Sequence, residues 1–497
     1  MKPVAYIRCD GGTDIGMGHV VRCLALAQML AEFFDVMFIV QETDNTIYQW
    51  IEQHGFPYLT ITRCKEENTC ASLLVDALNS IAKKGSIVVL DGYHFQTHHQ
   101  HRLKEEGYRV VAIDDLHAWH HSADAILNHA PGMEGSVYKT ESSTRLLLGA
   151  DYALLRPTML LAAKQVRTIK QIQHFLISMG AADEKNFTLF FAEILNTRFP
   201  NAHVHLLVSS INPNLDLLRA FAEAKTEKVS VHLNLSTEEL TKLLLQSDVV
   251  ICPASTISME ACAAGCTLIT GYTADNQRGI LAGLIKDDAC FSLGNFAVLE
   301  STQTGTQLSS WLTNNSTREK QFEHQRKLID GRSGLRIALA FLEIEKSISV
   351  RRANVNDADL YFQWANDADV RANSFQSAPI KWNTHLEWFQ AIIKSTENAL
   401  YLYSVHEVPA GQIRLKMEGS KALINYSLAA DFRGQGLGKW MLRHIILYAA
   451  TYHTDVKNLE GWVKKSNIAS LKAFESAGFR IVEENTESVL FKIALPA

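Results

Sequence analysis

The stretch Ile7-Arg8-Cys9-Asp10-Gly11-Gly12-Thr13-Asp14-Ile15-Gly16-Met17-Gly18-His19-Val20-Val21-Arg22-Cys23-Leu24-Ala25-Leu26-Ala27 decides the fold of this chain. An apolar run of β character (residues 4–8) ends at Asp10, and a glycine-rich turn follows. A helical period then begins, with Val20, Leu24, Ala27 and Ala31 on one face. A glycine turn between a strand and an amphipathic helix aims backbone N–H groups and the positive helix end at an anion. Outward from it, residues 36–40, 87–90, 109–113 and 125–127 read as further strands with helices between them. Strand–helix alternation predicts a parallel sheet covered on both faces, with ligands at the strands' carboxyl ends, where Asp10, Asp91 and Asp114 fall.

Arg156-Pro157 breaks the pattern, and the alternation then restarts. Residues 175–178 run into Met179-Gly180-Ala181-Ala182-Asp183, and residues 204–208, 229–233, 249–252 and 267–270 are strand candidates. The expectation is α/β: two Rossmann-like halves, residues 1–160 and 161–346, then a third domain over 347–497. The stretch 300–330 is polar, helical or looped, and Asp330-Gly331-Arg332-Ser333-Gly334 leads into a helix to about residue 345. No Pro-, Gly- or Ser-rich linker precedes the third domain, so it is expected to be held close.

The 497 residues carry 47% hydrophobic and 20% charged residues and a net charge of −5. That suits packed globular domains and supplies no basic field for nucleic acid or anionic membrane. The eight cysteines all precede residue 291, form no C-x-x-C pair and mostly sit in apolar runs. Reduced buried thiols and a cytoplasmic protein are therefore expected. No stretch reads as a signal peptide or a membrane span, so no membrane insertion is expected.

A second glycine turn, Arg433-Gly434-Gln435-Gly436-Leu437-Gly438, follows a strand candidate at 422–428 and opens a helix at 437–450. Leu437, Trp440, Met441, Ile445 and Tyr448 form that helix's apolar stripe. Two phosphate-type turns more than 400 residues apart predict two nucleotide-type sites on separate domains.

The string Arg8, Asp10, Gly16, Gly18, His19, Arg22, Cys23, Leu24 has a more specific reading than a generic glycine turn. With Asp91-Gly92-Tyr93, Ile113-Asp114-Asp115, Asn128, residues 178–183, Ser255 to Glu260, Asp275-Asn276-Gln277 and Asp330-Gly331, it resembles a hydrolase family of pseudaminic acid biosynthesis. That family cleaves UDP-2,4-diacetamido-2,4,6-trideoxy-β-L-altropyranose. The resemblance covers residues 3 to 340 and implies a GT-B arrangement of the two Rossmann-like domains. It also implies transfer of the sugar to water by C–O cleavage with inversion, and no metal. His19 is then the base that activates water, an imidazole being suited to proton transfer near neutrality. Asp10 would orient the ring or the sugar, and the amides of Gly16 to Gly18 would meet phosphate, with Arg22 and Tyr93 beside the substrate. Ser255 would bind diphosphate and Glu260 both ribose hydroxyls, the alternative for Glu260 being a carboxylate near a helix start. Asn276 and Gln277 are candidates for the sugar. Where the family has a second glycine, this chain has Ala181. The histidines at 94, 98, 99, 101, 117, 120 and 121 complete no metal spacing and read as solvated helix face.

The second turn matches the signature of Gcn5-related N-acetyltransferases, with Asn467, Ser470, Phe474, Gly478 and Phe479 at the family's downstream spacings. The resemblance implies that Arg433, Gly434, Gly436 and Gly438 clasp the pyrophosphate of acetyl-CoA, with Asn467 and Phe474 closing that site. Residues 459–463 would be the strand that splays to admit the pantetheine arm. Phe474 stands where many members have a tyrosine acid, which removes that proton donor. Glu460 is the remaining base candidate, the alternative being a surface carboxylate. Trp364-Ala365-Asn366-Asp367 with Arg371 and residues 373–375 sits where the superfamily shapes its acceptor pocket. This segment resembles the acetyltransferase acting one step before the hydrolase, on the 4-amine of a UDP-aminosugar. The whole reads as a bifunctional enzyme with UDP-aminosugar and acetyl-CoA as partners. Its rivals are a UDP-sugar glycosyltransferase with an unrelated acyltransferase and a non-catalytic nucleotide-sugar sensor.

Overall fold

A computed structural model describes every residue except 1, 13–16, 44, 65, 168–170, 181, 226 and 497. The chain divides into two compact units, Met1–Ala338 and Leu339–Ala497, and the division falls inside the helix Ser333–Lys346.

The first unit carries two parallel sheets. One is built from β1 (Val4–Cys9), β2 (Asp35–Gln41), β3 (Tyr58–Ile61), β4 (Ile87–Asp91) and β5 (Arg109–Ile113), then β7 (Ala125–Asn128) and β9 (Arg145–Leu148), in the order β3-β2-β1-β4-β5-β7-β9. The minor strands β6 (His120–His121) and β8 (Lys139–Thr140) pair apart from it. The other sheet holds β10 (His174–Ser178), β11 (His203–Val208), β12 (Val229–Leu233), β13 (Val249–Pro253), β14 (Thr267–Tyr272) and β15 (Phe291–Asn295), ordered β12-β11-β10-β13-β14-β15. Runs such as Ile87-Val88-Val89-Leu90, buried throughout, are what a central parallel strand with helices on both faces requires. In each sheet the order reverses once, between β1 and β4 and between β10 and β13. There the helices diverge to opposite faces and leave a crevice at the strand ends.

Residues 300–330 form two helices, Ser301–Leu312 and Asn315–Leu328. The two lobes touch backbone to backbone where Gly283, inside the helix Arg278–Lys286, meets Pro131. A Cβ at Gly283 would stand 2.0 Å from the Pro131 oxygen, so only glycine admits this contact.

The second unit is a mixed sheet of β16 (Ile348–Arg352), β17 (Asn398–Val405), β18 (Val408–Glu418), β19 (Lys421–Leu428), β20 (Asn458–Lys464), β21 (Arg480–Glu484) and β22 (Ser488–Ala494), ordered β16-β17-β18-β19-β20-β22-β21. All pairs are antiparallel except β19 with β20. That parallel pair holds together only from Lys421↔Asn458 to Leu423↔Glu460 and then opens. Helix Leu437–Tyr452 packs Met441, Leu442 and Ile445 on one face of the sheet, against Ile413, Leu415 and Phe491. On the other face, Trp364 and Phe389 of helices Ala358–Asn366 and Trp382–Lys394 cover Leu400 and Leu402.

No helix among the described residues is long and apolar enough to cross a membrane. The cysteine expectation needs one correction: Cys64 and Cys70 form a disulfide. Glu66 caps the helix Glu67–Ile81, and this helix entry folds the chain back so that the two Cα atoms lie 5.5 Å apart. The other six cysteines are free thiols.

Candidate functional site

The first site lies at the β1/β4 reversal, where the register sets Cys9 beside Asp91. His19, on the first turn of the helix Gly18–Leu30, is buried, and its Nδ1 lies 2.7 Å from Oδ1 of the fully buried Asp91. Arg22, one helical turn on, donates from Nε to Asp91 Oδ2 at 2.7 Å and from an NH2 group to Oδ1 at 2.5 Å. It reaches Asp115 at 3.0 Å, and the Cys23 thiol donates to Asp91 Oδ2 at 3.2 Å. Burial opposes the charge on Asp91, but the Arg22 guanidinium and the His19 ring outweigh it and hold the carboxyl down at about 2. An Arg22 NH2 group, which can only donate, also lies 3.0 Å from Nδ1, but the ionised Asp91 oxygen is nearer at 2.7 Å and accepts the Nδ1 proton, which leaves the lone pair on Nε2. Among the described residues Nε2 makes no hydrogen bond. The half-exposed Tyr93 ring stands edge-on to His19 at 4.9 Å.

Asp91, named from the sequence only as a strand-end acid, is therefore the carboxylate that meets the His19 ring, a contact expected of Asp10. Asp10 does not touch the His19 ring: Arg8 grips both its oxygens at 2.5 and 2.7 Å, Gln41 N–H donates to it at 3.1 Å, and His94 stands 3.5 Å away. Arg8 is itself buried beneath Phe95, so the pair belongs to the floor of the turn. Gly18 is exposed, and a Cβ there would meet nothing; Gly16 lies outside the described residues.

The histidine-rich stretches are not a solvated face throughout. His99 and His121 are buried, the latter hydrogen-bonded to Gln100 at 3.0 Å. Burial pushes the His99 pKa down to about 4. Among the described residues no three His, Cys, Asp or Glu side chains are grouped to hold a metal.

In the second lobe the β10/β13 reversal brings together the turn at Met179-Gly180 and the helix start Ser255–Glu260. Gly180 has φ +87°, and Ala181 lies outside the described residues. Ser255 caps the helix Thr256–Ala263: its N–H donates to Ser258 Oγ at 3.2 Å, and its own hydroxyl donates to Pro253 O at 3.3 Å. Glu260 is buried, and its Oε2 accepts from Arg156, at the connection between the lobes, at 3.0 Å. Burial raises its pKa and Arg156 opposes the rise. Gln277 is occupied capping its own turn, accepting from Thr273 N at 2.7 Å, while Asn276 is exposed.

In the second unit the glycine turn closes on the opening between β19 and β20. Gly434 (φ +75°) and Gly436 (φ +80°) take left-handed conformations, and Gly436 caps the helix Leu437–Tyr452. Gly438 faces the Tyr426 ring, where a Cβ would come within 3.3 Å. Arg433 is tied to Asp367 and Asp369 at 2.6 and 2.8 Å, and Asn467 caps the helix Ile468–Ala477.

Three expectations need correction here. Phe474 is core: it lies 2% exposed among Phe479, Phe491 and Tyr426, under Gly461. Glu460 is neither a free base nor a surface group. It is buried at the last paired position of β19 and β20, where the strands part, held by Lys421 at 3.0 Å and Lys492 at 3.2 Å. Burial works against its charge, but the two ammonium groups win and lower its pKa, which makes it a poor proton acceptor. Trp364 is buried in the helix-covered cluster, and Arg371 is spent on the carbonyls of Gln376 and Ala378 and the hydroxyl of Ser374. The residue the sequence reading missed is Tyr426. It stands past the point where β19 leaves β20, and its hydroxyl is 3.0 Å from Ser470 Oγ. Its place on the strand beside the glycine turn is the signal that was available.

Residues 348–480 match the family described as acetyltransferase (GNAT) domain. An uncharacterised protein of Methanocaldococcus jannaschii is 22% identical over 495 residues, covering 96% of this chain and 97% of that one. The UDP-2,4-diacetamido-2,4,6-trideoxy-β-L-altropyranose hydrolase of Campylobacter jejuni is 27% identical over 259 residues, covering 51% of this chain and 86% of that one. The spore coat polysaccharide biosynthesis protein SpsG of Bacillus subtilis is 23% identical over 344 residues, 67% of this chain and 95% of that one. The chain therefore unites a homologue of this UDP-sugar hydrolase, in its N-terminal half, with a C-terminal GNAT acetyltransferase domain.

Proposed function

We propose that this protein is a bifunctional enzyme of nucleotide-sugar biosynthesis. Its second unit transfers an acetyl group from acetyl-CoA to the 4-amine of a UDP-4-amino-sugar. Its first unit then hydrolyses UDP from the resulting UDP-2,4-diacetamido-2,4,6-trideoxy-β-L-altropyranose. The observation that carries the hydrolase reading is the His19–Asp91–Arg22 cluster at the strand-order reversal. Asp91 holds the proton on Nδ1, so Nε2 takes a proton from water as the water oxygen bonds to the anomeric carbon from the face opposite UDP. The anomeric C–O bond breaks, its electron pair leaves with the UDP phosphate, and the configuration inverts. Asp91 stabilises the imidazolium that forms. Across the crevice, the helix start at Ser255 offers amides to the diphosphate, and Glu260 Oε1, beside its Arg156-bound oxygen, accepts from ribose.

The GNAT match supports acyl-CoA use, and the left-handed glycines at 434 and 436 support clasping of its pyrophosphate. With Phe474 in the core, our reading gives protonation of the departing thiolate to the Tyr426 hydroxyl, and its position past the point where β19 leaves β20 supports this. The test is incubation of the full chain with the UDP-amino-sugar, with and without acetyl-CoA, in ¹⁸O-labelled water, followed by NMR and mass spectrometry. The expected result is acetyl-CoA-dependent release of UDP, with the label in the sugar and none in UDP. Label in UDP, or UDP release unchanged in His19→Asn, overturns the assignment.

A further inference from the structure

Several inward-facing arginines of this protein are neutralised by a carboxylate: Arg8 by Asp10, Arg22 by Asp91, Arg156 by Glu260 and Arg336 by Asp330. Arg318 and Arg371 lack a carboxylate too, but each donates to oxygens of its own neighbourhood. Arg414, in the middle of β18, donates to no group among the described residues. No carboxylate pairs with it among the described residues, its Nε is buried without a hydrogen-bond partner, and burial alone depresses its pKa. Arg414 is only partly buried: its Nε is withdrawn from water and the two terminal NH2 groups are not, which leaves an unpaired fork open to an anion that arrives from outside.

Its surroundings indicate which anion. The register aligns Leu400, Arg414 and Asn425 across β17, β18 and β19, and aligns Leu402, Gln412 and Ser427 one pleat on. These rows share the sheet face that carries the helix Trp382–Lys394. Gln412 already donates to Ser427 Oγ at 3.2 Å, so the patch holds neutral hydrogen-bonding groups beside the cation and no competing anion. Over it stands Trp388, 38% exposed, with the Arg414 guanidinium 5.7 Å from its ring centre. Asn425 lies just past Leu423↔Glu460, where β19 and β20 part, and Arg414 is one strand spacing further, about 5 Å.

We propose that Arg414, Gln412, Asn425 and Ser427, walled by Trp388, form the subsite that holds the diphosphate of a nucleoside-diphosphate-sugar acceptor. The guanidinium fork takes the phosphate oxygens, the indole covers the nucleoside, and the sugar points toward the opening of the sheet. This rests on the acetyl-acceptor reading above and supplies the recognition that Trp364 and Arg371, engaged elsewhere, do not.

The test uses the full chain and Arg414→Met, with Arg414→Lys as the variant that keeps the charge and loses the fork. Retained acetyl-CoA binding reports that the domain is folded. Calorimetry with UDP should show two sites per wild-type chain and one in Arg414→Met. The KM for the UDP-amino-sugar in acetyl transfer should rise about a hundredfold in Met, the loss of two charge-assisted hydrogen bonds, and about tenfold in Lys, with kcat little changed. One UDP site in the wild type, or an unchanged KM and two UDP sites in Arg414→Met, overturns the proposal. Loss of one UDP site in a protein that never acetylates this sugar would keep the subsite and overturn the acceptor assignment instead.

Discussion

Asp91→Asn preserves the volume of the side chain and deletes the charge on which the first site turns. In the wild type both Asp91 oxygens accept from Arg22 and one also meets His19 Nδ1. Whichever way the amide is turned, its NH2 group faces an Arg22 donor, and the largely buried Arg22 keeps only the more exposed Asp115 as a counter-charge. Removing one partner of a buried pair costs about 3–5 kcal/mol. The linkage argument gives a similar scale: a carboxyl held at about 2 against about 3.9 in the unfolded chain contributes about 2–3 kcal/mol at neutral pH. Because the folded pKa is the lower one, that stability is fully present above about pH 4 and is lost as pH falls toward 2. Catalysis should suffer more. An amide N–H directed at Nδ1 makes that nitrogen the acceptor and places the ring proton on Nε2, which abolishes the base; a wrong tautomer of this kind costs about 10⁴-fold in serine-protease triads. We expect kcat for UDP release, followed by ³¹P NMR, to fall about 10³-fold or more. Denaturant unfolding at pH 7 should show the loss of stability, and calorimetry should find UDP affinity within a few-fold of wild type. A variant that releases UDP within tenfold of the wild-type rate would refute the inference that Asp91 sets the tautomer of His19.

Asp10→Asn should destabilise the first unit by about 1–3 kcal/mol through loss of the Arg8 ion pair, with hydrolysis falling less than about tenfold; a collapse of kcat at full stability would return Asp10 to the reacting centre. In the acetyl-transfer assay, Glu460→Gln should change kcat less than about threefold, whereas Tyr426→Phe should lower it at least about tenfold; the reverse ranking would be evidence against the assignment. The buried His129 accepts a hydrogen bond from Leu154 N–H, and burial, with Arg22 adding to it, depresses its pKa to about 4. Its neutral form is the folded one, so its stabilising contribution is complete above about pH 6.5 and declines by about 3 kcal/mol as pH falls to 4. Unfolding free energies across that range should show the slope, and His129→Gln should flatten it.

The central strands of the two parallel sheets and both glycine turns were readable because their cues are local: apolar runs long enough to be buried on both sides, and a glycine cluster where strand becomes helix. In the second unit the internal strands β17, β18 and β22 were not read. Nor were the strands Tyr58–Ile61, Arg145–Leu148 and Phe291–Asn295, and all three lie at sheet edges. An edge strand buries less and takes its conformation from its neighbour's hydrogen bonds as much as from its own side chains. The same division runs through the chemistry. His19 announced itself by standing at a glycine turn, whereas its partner Asp91 is 72 residues away and nothing in its own surroundings distinguishes it from Asp10 or Asp114.

The sequence by itself determined the parallel α/β halves and the two glycine turns between strand and helix, while the acetyltransferase type of the third domain came from its resemblance to a family signature. The halves and the turns follow from short-range sterics and from the periods of strand and helix. Only the tertiary structure decided which charges meet. It gave Asp10 to Arg8 and Asp91 to His19, closed Glu460 between Lys421 and Lys492, and left Arg414 without a carboxylate. Apart from the local Arg8–Asp10 pair, those outcomes depend on how strands far apart in the chain are set beside one another. A shift of one residue there carries every side chain to the opposite face.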